Sequence, residues 1–205
     1  AKLAEGRSSI SRNRARYLLA LDLINTDRGG SAIPLLQGLD AEYPDMAPYI
    51  LMALAQAQTA AGQNEAAAAT EQRLLNEFSN DPAIAPLLYT LGQQNPTYWE
   101  QLLLQFPDHP ATVEVAHQQL TTDPYRADAL PLLMTIARAG LHHPGAGATL
   151  IRLSNEFADQ LTADDWQTIG FGLWRLDDYS TAGRAYANAS PSARNLYRAA
   201  RGLQI

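Results

Sequence analysis

The sequence contains no cysteine, and Lys2 is its only lysine. The absence of cysteine excludes disulfide bonds, thiolate metal sites and a cysteine nucleophile. It does not distinguish the cytosol from the bacterial envelope, since proteins of both compartments can lack cysteine. No stretch approaches the roughly 18 consecutive apolar residues of a membrane-spanning helix, so the chain is not expected to span a membrane. Strand patterns are almost absent, because β-branched residues are sparse and do not alternate with polar ones.

Positive charge is also in deficit, because the 205 residues carry a formal net charge of −6. A domain that reads a phosphate backbone normally carries a basic excess, so nucleic acid is not expected as a partner. Hydrophobic residues make up 46% of the chain and charged residues 18%, which is typical of a folded protein. The basic and then apolar N-terminal stretch is interrupted by Asp22 and lacks a small-residue cleavage site, so it is not read as a signal peptide.

Helical periodicity recurs along the whole chain. On the first helix, for example, Tyr17, Leu21 and Ile24 share a face, with Leu18 beside them. A tight turn at Gly62 separates two Ala-rich stretches, which predicts an antiparallel helical hairpin. The predicted helices cover about twelve segments: 8–26, 31–43, 46–62, 64–79, 82–94, 97–105, 110–121, 124–139, 145–158, 162–176, 179–188 and 191–204.

Helix starts are predicted from capping patterns. Thr97 with Glu100, and Thr162 with Asp165, have the spacing of a capping box, in which a hydroxyl and a carboxyl satisfy free amides. Three further starts combine an N-cap residue with proline at the first helical position, where the missing N–H costs nothing. Their N-cap residues are Asp81, Asp123 and Ser190.

A short phrase repeats at the predicted helix ends: "EYPDMAP", "EFSNDPA" and "QFPDHPA". Its aromatic residue is expected to close one hairpin, while the following polar residue and proline begin the next. Tyr43 and Phe78 are 35 residues apart, Phe78 and Phe106 are 28, and a weaker copy ends at Phe157. These spacings bracket the period of about 34 residues of tetratricopeptide hairpins. The fold class predicted is an all-α, right-handed solenoid of antiparallel hairpins, with residues 1–205 as one helical-repeat domain.

Longer stretches carry a family resemblance. They are "LLQGLDAEYPDMAPYILMALAQAQTAAGQ", "NPTYWEQLLLQFPDHPATVEVA", "DDWQTIGFGLWRLDDYSTAGRAYANA" and "RNLYRAARGLQI". Together they resemble the helical N-terminal region of cyanobacterial soluble lytic murein transglycosylases, from about Leu35 to Ile205. The resemblance implies a periplasmic or cell-envelope enzyme that cleaves peptidoglycan glycan strands to 1,6-anhydro-muramyl ends.

In that family the chemistry belongs to a separate, lysozyme-like C-terminal domain with a Glu-Ser motif and a Gly-Leu-Met-Gln segment. Neither occurs in this sequence, and its last stretch reads as the middle of a helix. The chain is therefore expected to be a non-catalytic scaffold region of a longer enzyme. Its expected partners are its own C-terminal catalytic domain, peptidoglycan glycan strands and, as a further option, other proteins.

No catalytic residue, metal ligand or cofactor is predicted. The acidic residues lie mostly at predicted caps and turns, where capping accounts for them without catalysis. His142 and His143 are adjacent, so on a helix they point about 100° apart and do not suit one metal. "PGAGATL" lacks the Lys-Ser/Thr of a phosphate loop and is read as a turn into a helix.

Arg194, Arg198 and Arg201 form a basic stripe at spacings of four and three on the last helix. The stripe either contacts a glycan strand or another domain, or is an ordinary solvated face. Trp166 and Trp174 share a helix face, with Gly170 and Gly172 between them. They either pack in the core, the favoured interpretation, or stack on sugar rings.

A second functional hypothesis is a free-standing tetratricopeptide-type adaptor that binds a protein in a concave groove. Such a groove should present Asn, Lys or Arg from the first helices of its hairpins. The stretch "LMALAQAQTA" offers none of these, which weakens this alternative without excluding it.

Overall fold

The structure is a computed structural model that describes residues 2–204, with side-chain environments from residue 9 onward. The described residues form an all-α protein with no β-strand. Its α-helices are α1 (Lys2–Asn25), α2 (Gly29–Leu36), α3 (Leu39–Glu42), α4 (Ala47–Ala60), α5 (Asn64–Glu77), α6 (Ala85–Gly92), α7 (Thr97–Gln105), α8 (Pro110–Thr122), α9 (Ala129–Ala139), α10 (Ala146–Glu156), α11 (Ala163–Arg175), α12 (Tyr179–Asn188) and α13 (Ala193–Gly202). Short 3-10 turns occupy Pro44–Met46, Pro82–Ile84 and Ala158–Gln160.

The backbone forms two compact units, Ala1–Leu91 and Gly92–Ile205. In the first unit α1 packs on α2, α2 on α4, and α4 on α5 across the tight turn at Gly62. In the second unit each helix from α8 to α13 packs on the next one along the chain. The predicted all-α class and the packing of successive antiparallel helices are thus confirmed. The extent of a single domain over residues 1–205 stays a prediction.

Each unit has its own apolar core, built from the predicted helix faces. In the first unit one buried cluster is formed by side chains of α1 to α4, and its members are Ala20, Leu23, Ala32, Leu36, Leu39, Ile50, Ala53, Leu54 and Ala57. Tyr17, Leu21 and Ile24 pack at the edge of this core, as predicted, whereas Leu18 is exposed. Ala20 and Leu23, the buried hydrophobic residues of the described part of α1, lie beside the predicted stripe.

The core of the second unit runs from α8 to α12. Its fully buried members include Leu150, Leu153 and Ile169. Trp166 and Trp174 are partly buried and pack against this core, which confirms the favoured interpretation of both indoles. No helix in the described part of the chain combines the length and hydropathy needed to cross a membrane.

The repeated aromatic residue closes a helix in all four of its copies. Tyr43, Phe78, Phe106 and Phe157 are the C-cap residues of α3, α5, α7 and α10. Each backbone amide donates to the carbonyl oxygen of a leucine four residues earlier, at 2.8–3.2 Å. The phrase therefore has the predicted role of ending the second helix of a pair.

Several predicted boundaries are wrong for local reasons. The helix expected over 31–43 is split into α2 and α3 by Gly38, whose φ of +75° interrupts the helix. The helix expected from 124 begins at Ala129, because Asp123 is the C-cap of α8 and its carboxylate accepts from the amide of Tyr125. The last helix is shorter than 191–204. It starts after Ser192 and ends at Gly202, so the described chain does not end within a helix.

Two of the predicted caps are confirmed and two are replaced. Asp81 caps the turn at Pro82–Ile84, and Thr162 with Asp165 forms the capping box of α11. Before α7 the amide of Thr97 donates to Asn95 Oδ1 instead of the Thr97–Glu100 box. Before α13 the cap is Ser192, not Ser190, and its Oγ accepts from the amide of Asn195.

Candidate ligand-binding groove

Three alternate helices of the second unit, α9, α11 and α13, line an open groove of about 600 Å³. Its lining combines arginine and amide side chains with an apolar strip: Ala137, Arg138, Leu141, Gln167, Thr168, Phe171, Tyr186, Ser192, Arg194, Asn195 and Arg198. In a stack of hairpins, alternate helices share one face, which gives an extended concave surface suited to binding.

Close backbone packing holds α13 in place beside the groove. A Cβ added to Gly202 would lie 2.3 Å from the carbonyl oxygen of Tyr179 and 2.8 Å from the Cα of Gly183. Gly183 and Gly202 therefore let the backbones of α12 and α13 touch. On α11 a Cβ at Gly170 would meet the Tyr186 ring at 3.1 Å, so this position also depends on glycine.

A buried amide joins the last helix to α11. Asn195 is only 3% exposed, and its Nδ2 donates to Gln167 Oε1 at 2.9 Å and to the carbonyl oxygen of Ser190 at 2.9 Å. Buried polar groups need hydrogen-bond partners, and both Nδ2 protons of Asn195 have one. The same bond fixes the Gln167 amide with its oxygen turned toward Asn195.

The three arginines of the groove have different surroundings. Arg138 Nη2 donates to Asp165 Oδ1 at 2.8 Å. The Arg198 guanidinium donates to the hydroxyl of Tyr186 and lies 5.5 Å from the Trp174 ring centroid. Arg194 is exposed and has no hydrogen-bond or ion-pair partner among the described residues.

Asp165 links the start of α11 to the groove. Burial raises the pKa of Asp165, but hydrogen bonds from the Thr162 hydroxyl and amide, and from Arg138, outweigh it and leave the pKa below its ordinary value. The carboxylate therefore stays ionised and holds both the helix start and one groove arginine.

We expect Asp165→Ala to lower the free energy of unfolding by about 1 kcal/mol at neutral pH, a typical effect of losing a helix cap. Folding lowers the pKa of this carboxyl, so its ionised form stabilises the folded state at pH values above the pKa in the unfolded chain. This stabilisation is lost as the pH falls through the lower pKa of the folded state. The difference between wild type and variant should therefore shrink below about pH 4, as measured by urea denaturation across pH. Asp164→Ala is the matched control, since Asp164 lies in the same first turn and is exposed. An equal loss in both variants would contradict the capping role.

The predicted arginine stripe is divided by the structure. Arg194 and Arg198 line the groove, whereas Arg201 lies at a separate shallow depression and donates to the hydroxyl of Tyr197 at 2.7 Å. Whether any of the three contacts a glycan or another domain stays a prediction.

Sequence reasoning missed the other polar residues of the groove. Arg138, Gln167 and Asn195 come from α9, α11 and α13, at spacings of 29 and 28 residues. These spacings are close to the 28 residues between Phe78 and Phe106. A search for polar residues recurring at the repeat period would have found them.

The histidines lie elsewhere in the second unit. His142 and His143 are in the turn between α9 and α10. The His143 ring packs against His117 of α8 at a tilt of 43°, with centroids 4.2 Å apart, and its Nε2 lies 3.9 Å from Glu114 Oε1. No group of three His, Cys, Asp or Glu residues in the described chain could hold a metal ion.

The first unit contains a second, more apolar cavity of about 420 Å³ between α4, α5 and α6. It is lined by Met52, Leu74 and Leu87 among others, and Glu71 is its one acidic residue. Burial raises the pKa of Glu71. The first helix of this hairpin, α4, contributes only small, apolar or neutral polar side chains to the cavity, in contrast to the arginine-rich groove.

Comparison with known proteins gives one family match. Residues 24–90 match the tetratricopeptide repeat family, which is about a third of the chain. No curated protein and no solved structure matches the sequence. The matched segment covers α2 to α5 and most of α6, including the tight hairpin at Gly62. The chain therefore contains a tetratricopeptide-like helical repeat.

Proposed function

We propose that this chain is a non-catalytic helical scaffold that holds the surface of another protein or domain. The observation that carries the proposal is the tetratricopeptide-like repeat over residues 24–90 within an all-α chain of packed helical pairs. Repeats of this kind expose extended binding surfaces, because each hairpin buries one face on its neighbours and leaves the other available.

We further propose that the scaffold belongs to a peptidoglycan lytic transglycosylase of the cell envelope. There it would support a lysozyme-like catalytic domain and shape the access of glycan strands to it. This finer assignment is supported by the sequence resemblance from about Leu35 to Ile205. It requires that the parent protein carry a Glu-Ser motif and a Gly-Leu-Met-Gln segment outside this chain, and a gene without them would contradict it.

The alternative, a free-standing adaptor, is favoured by one observation in the second unit. Arginine, which is missing from α4, lines the groove of the second unit, as Arg138 on α9 and Arg194 and Arg198 on α13. Both hypotheses assign a protein-binding role to the chain and differ in whether the partner is a catalytic domain of the same protein.

A peptidoglycan assay tests the non-catalytic assignment. We expect the chain alone to release no anhydro-muropeptides from purified peptidoglycan, because the catalytic chemistry belongs to a separate domain. Any turnover by the purified chain would refute the non-catalytic assignment.

Sedimentation with insoluble peptidoglycan tests direct contact with glycan through the arginine stripe. We expect weak association at low salt that falls at high salt, because exposed charges are screened within about 8 Å at physiological ionic strength. The triple variant Arg194→Gln, Arg198→Gln and Arg201→Gln should reduce this association. The triple variant of Arg14, Arg28 and Arg175 to Gln is the control, since these exposed arginines have no ion pair among the described residues. If neither high salt nor the triple variant of the stripe reduced the association, the stripe would not be a glycan contact.

A further inference from the structure

We propose that the groove between α9, α11 and α13 binds an extended acidic peptide segment that carries an apolar side chain beside its carboxylates. This inference rests on the scaffold function proposed above and assigns one surface and one partner chemistry to it.

The positive charge of the groove favours a negatively charged partner. Three of its eleven lining residues are arginines, and none of those residues is an Asp or Glu. Arg138 is paired with Asp165, so Arg194 and Arg198 carry the positive charge that has no ion-pair partner among the described residues. The whole chain, in contrast, has 21 acidic and 15 basic residues. A cluster of one sign against the net charge of the protein attracts the opposite charge and raises its local concentration.

The polar groups of the groove are mainly hydrogen-bond donors. Gln167 Oε1 accepts from Asn195, and the Nε2 protons of the same amide have no partner among the described residues. Arg194 has no partner among the described residues, and a guanidinium carries five N–H donors, so Arg198 keeps others after its bond to Tyr186. Carboxylates are the matching acceptors, and arginine binds them in a bidentate, planar arrangement.

Arg198 is held in position before any ligand arrives. Its guanidinium lies 5.2 Å from the centroid of the Tyr186 ring and 5.5 Å from that of Trp174, which is cation–π distance. Because its orientation is already restricted, less side-chain entropy is lost on binding a carboxylate. Arg138 donates through Nη2 to Asp165 and keeps other N–H donors available.

An apolar strip lies beside these donors. Phe171 of α11 is 43% exposed, and Leu141 and Ala137 line the same groove. Aromatic residues and arginine are both enriched at protein–protein interfaces, and this groove contains Phe171 as well as three arginines. It favours a partner whose acidic residues flank a Leu or Phe over a free inorganic anion.

The dimensions also suit a peptide. A volume of about 600 Å³ is within the range of specific ligand sites.

Fluorescence anisotropy with the labelled peptide Gly-Asp-Leu-Glu-Phe-Asp-Gly tests the proposal. We expect saturable binding that weakens as salt is raised. The matched peptide with Asn and Gln in place of Asp and Glu should bind at least about tenfold more weakly, since it removes the charge pairing. Equal binding of the two peptides, or no binding of the acidic one, would overturn the proposal.

Protein variants locate the site. The triple variant Arg138→Gln, Arg194→Gln and Arg198→Gln should weaken binding about tenfold, whereas Arg175→Gln, Arg184→Gln and Arg201→Gln together should change it less than about twofold. Both triples remove the same charge from the second unit, so equal losses would mean nonspecific attraction and would refute the site. Arg194 is exposed, so the single variant Arg194→Gln should leave the packing intact. We expect it to weaken peptide binding about two- to fivefold.

Two further measurements identify the occupant. Phe171→Ala should weaken binding of the acidic peptide about threefold or more. The salt dependence of binding should not change, because the substitution removes apolar contact only. Millimolar inorganic phosphate should compete poorly. Full displacement of the peptide by phosphate, or no effect of Phe171→Ala, would assign the groove to a simple anion and overturn the peptide proposal.

The outcome is distinguishable from a failure of the scaffold function. A catalytic domain or partner that binds the chain equally with and without the groove triple variant would leave the scaffold function in place and refute this groove. A chain that binds the acidic peptide but no partner domain would support the groove and refute the transglycosylase assignment.

Discussion

Replacing Gly202 by Val is expected to lower the free energy of unfolding of the second unit by about 3 kcal/mol. A Cβ at this position would lie 2.3 Å from the carbonyl oxygen of Tyr179 and 2.9 Å from the backbone nitrogen of Gly183. Both are backbone atoms of α12, so relief requires the two helices to separate. Overpacking of this kind costs about 1–3 kcal/mol, and a β-branched side chain against a rigid backbone belongs at the upper end.

Urea denaturation of Gly202→Val and of Gly147→Ala measures this effect. Gly147 is the control because it is also helical and in the same unit, but an added Cβ would meet only Leu176 Cδ1, at an ordinary contact distance of 3.7 Å. Alanine there should be neutral or stabilising by up to about 1 kcal/mol. Gly202→Val should also abolish acidic-peptide binding, because it displaces Arg194, Asn195 and Arg198 together. A loss below about 1 kcal/mol with binding intact would show that α13 tolerates the separation.

Replacing Trp174 by Ala is expected to lower the free energy of unfolding by about 3 kcal/mol, the lower end of the range for large aromatic residues in cores. The indole is partly buried against the core of the second unit. It packs edge-on against Tyr179, with ring centroids 5.0 Å apart, and against Tyr186 at 6.3 Å. Its face also receives the Arg198 guanidinium, so the substitution removes apolar burial, two aromatic contacts and one cation–π contact.

Phe171→Ala is the matched control for Trp174→Ala. Phe171 lies on the same helix but is 43% exposed, so its loss should cost clearly less, about 1 kcal/mol. Equal effects would contradict the core assignment of Trp174. A cost below about 1 kcal/mol for Trp174→Ala would revive the interpretation that its ring stacks on sugars.

The two substitutions affect the groove by different routes. Gly202→Val moves the whole of α13, whereas Trp174→Ala removes the aromatic support beneath one guanidinium. We therefore expect Trp174→Ala to weaken acidic-peptide binding only partly, since Arg198 keeps its contact with the Tyr186 hydroxyl. The groove thus depends on the packing of α12 and α13 as well as on its own charges.

The sequence by itself determined the helical class, the aromatic residues at helix ends, and the caps at Asp81 and at Thr162–Asp165. Tyr43, Phe78, Phe106 and Phe157 were predictable because helix ends depend on residues close in the chain. The Thr162–Asp165 capping box was predictable for the same reason. The predicted helix starts at Asp123 and Ser190 were wrong. Both residues precede a proline, and a residue in that position suits a turn as well as a helix cap.

Only the tertiary structure decided the groove. Arg138, Gln167 and Asn195 are 29 and 28 residues apart, and no local rule brings them together. Arg201 shares a helix with Arg194 and Arg198, and only the packing of that helix shows that Arg201 lies outside the groove. The physical reason is that helix periodicity places side chains around one axis, whereas the contact of Gly183 with Gly202 sets how that axis packs against its neighbours.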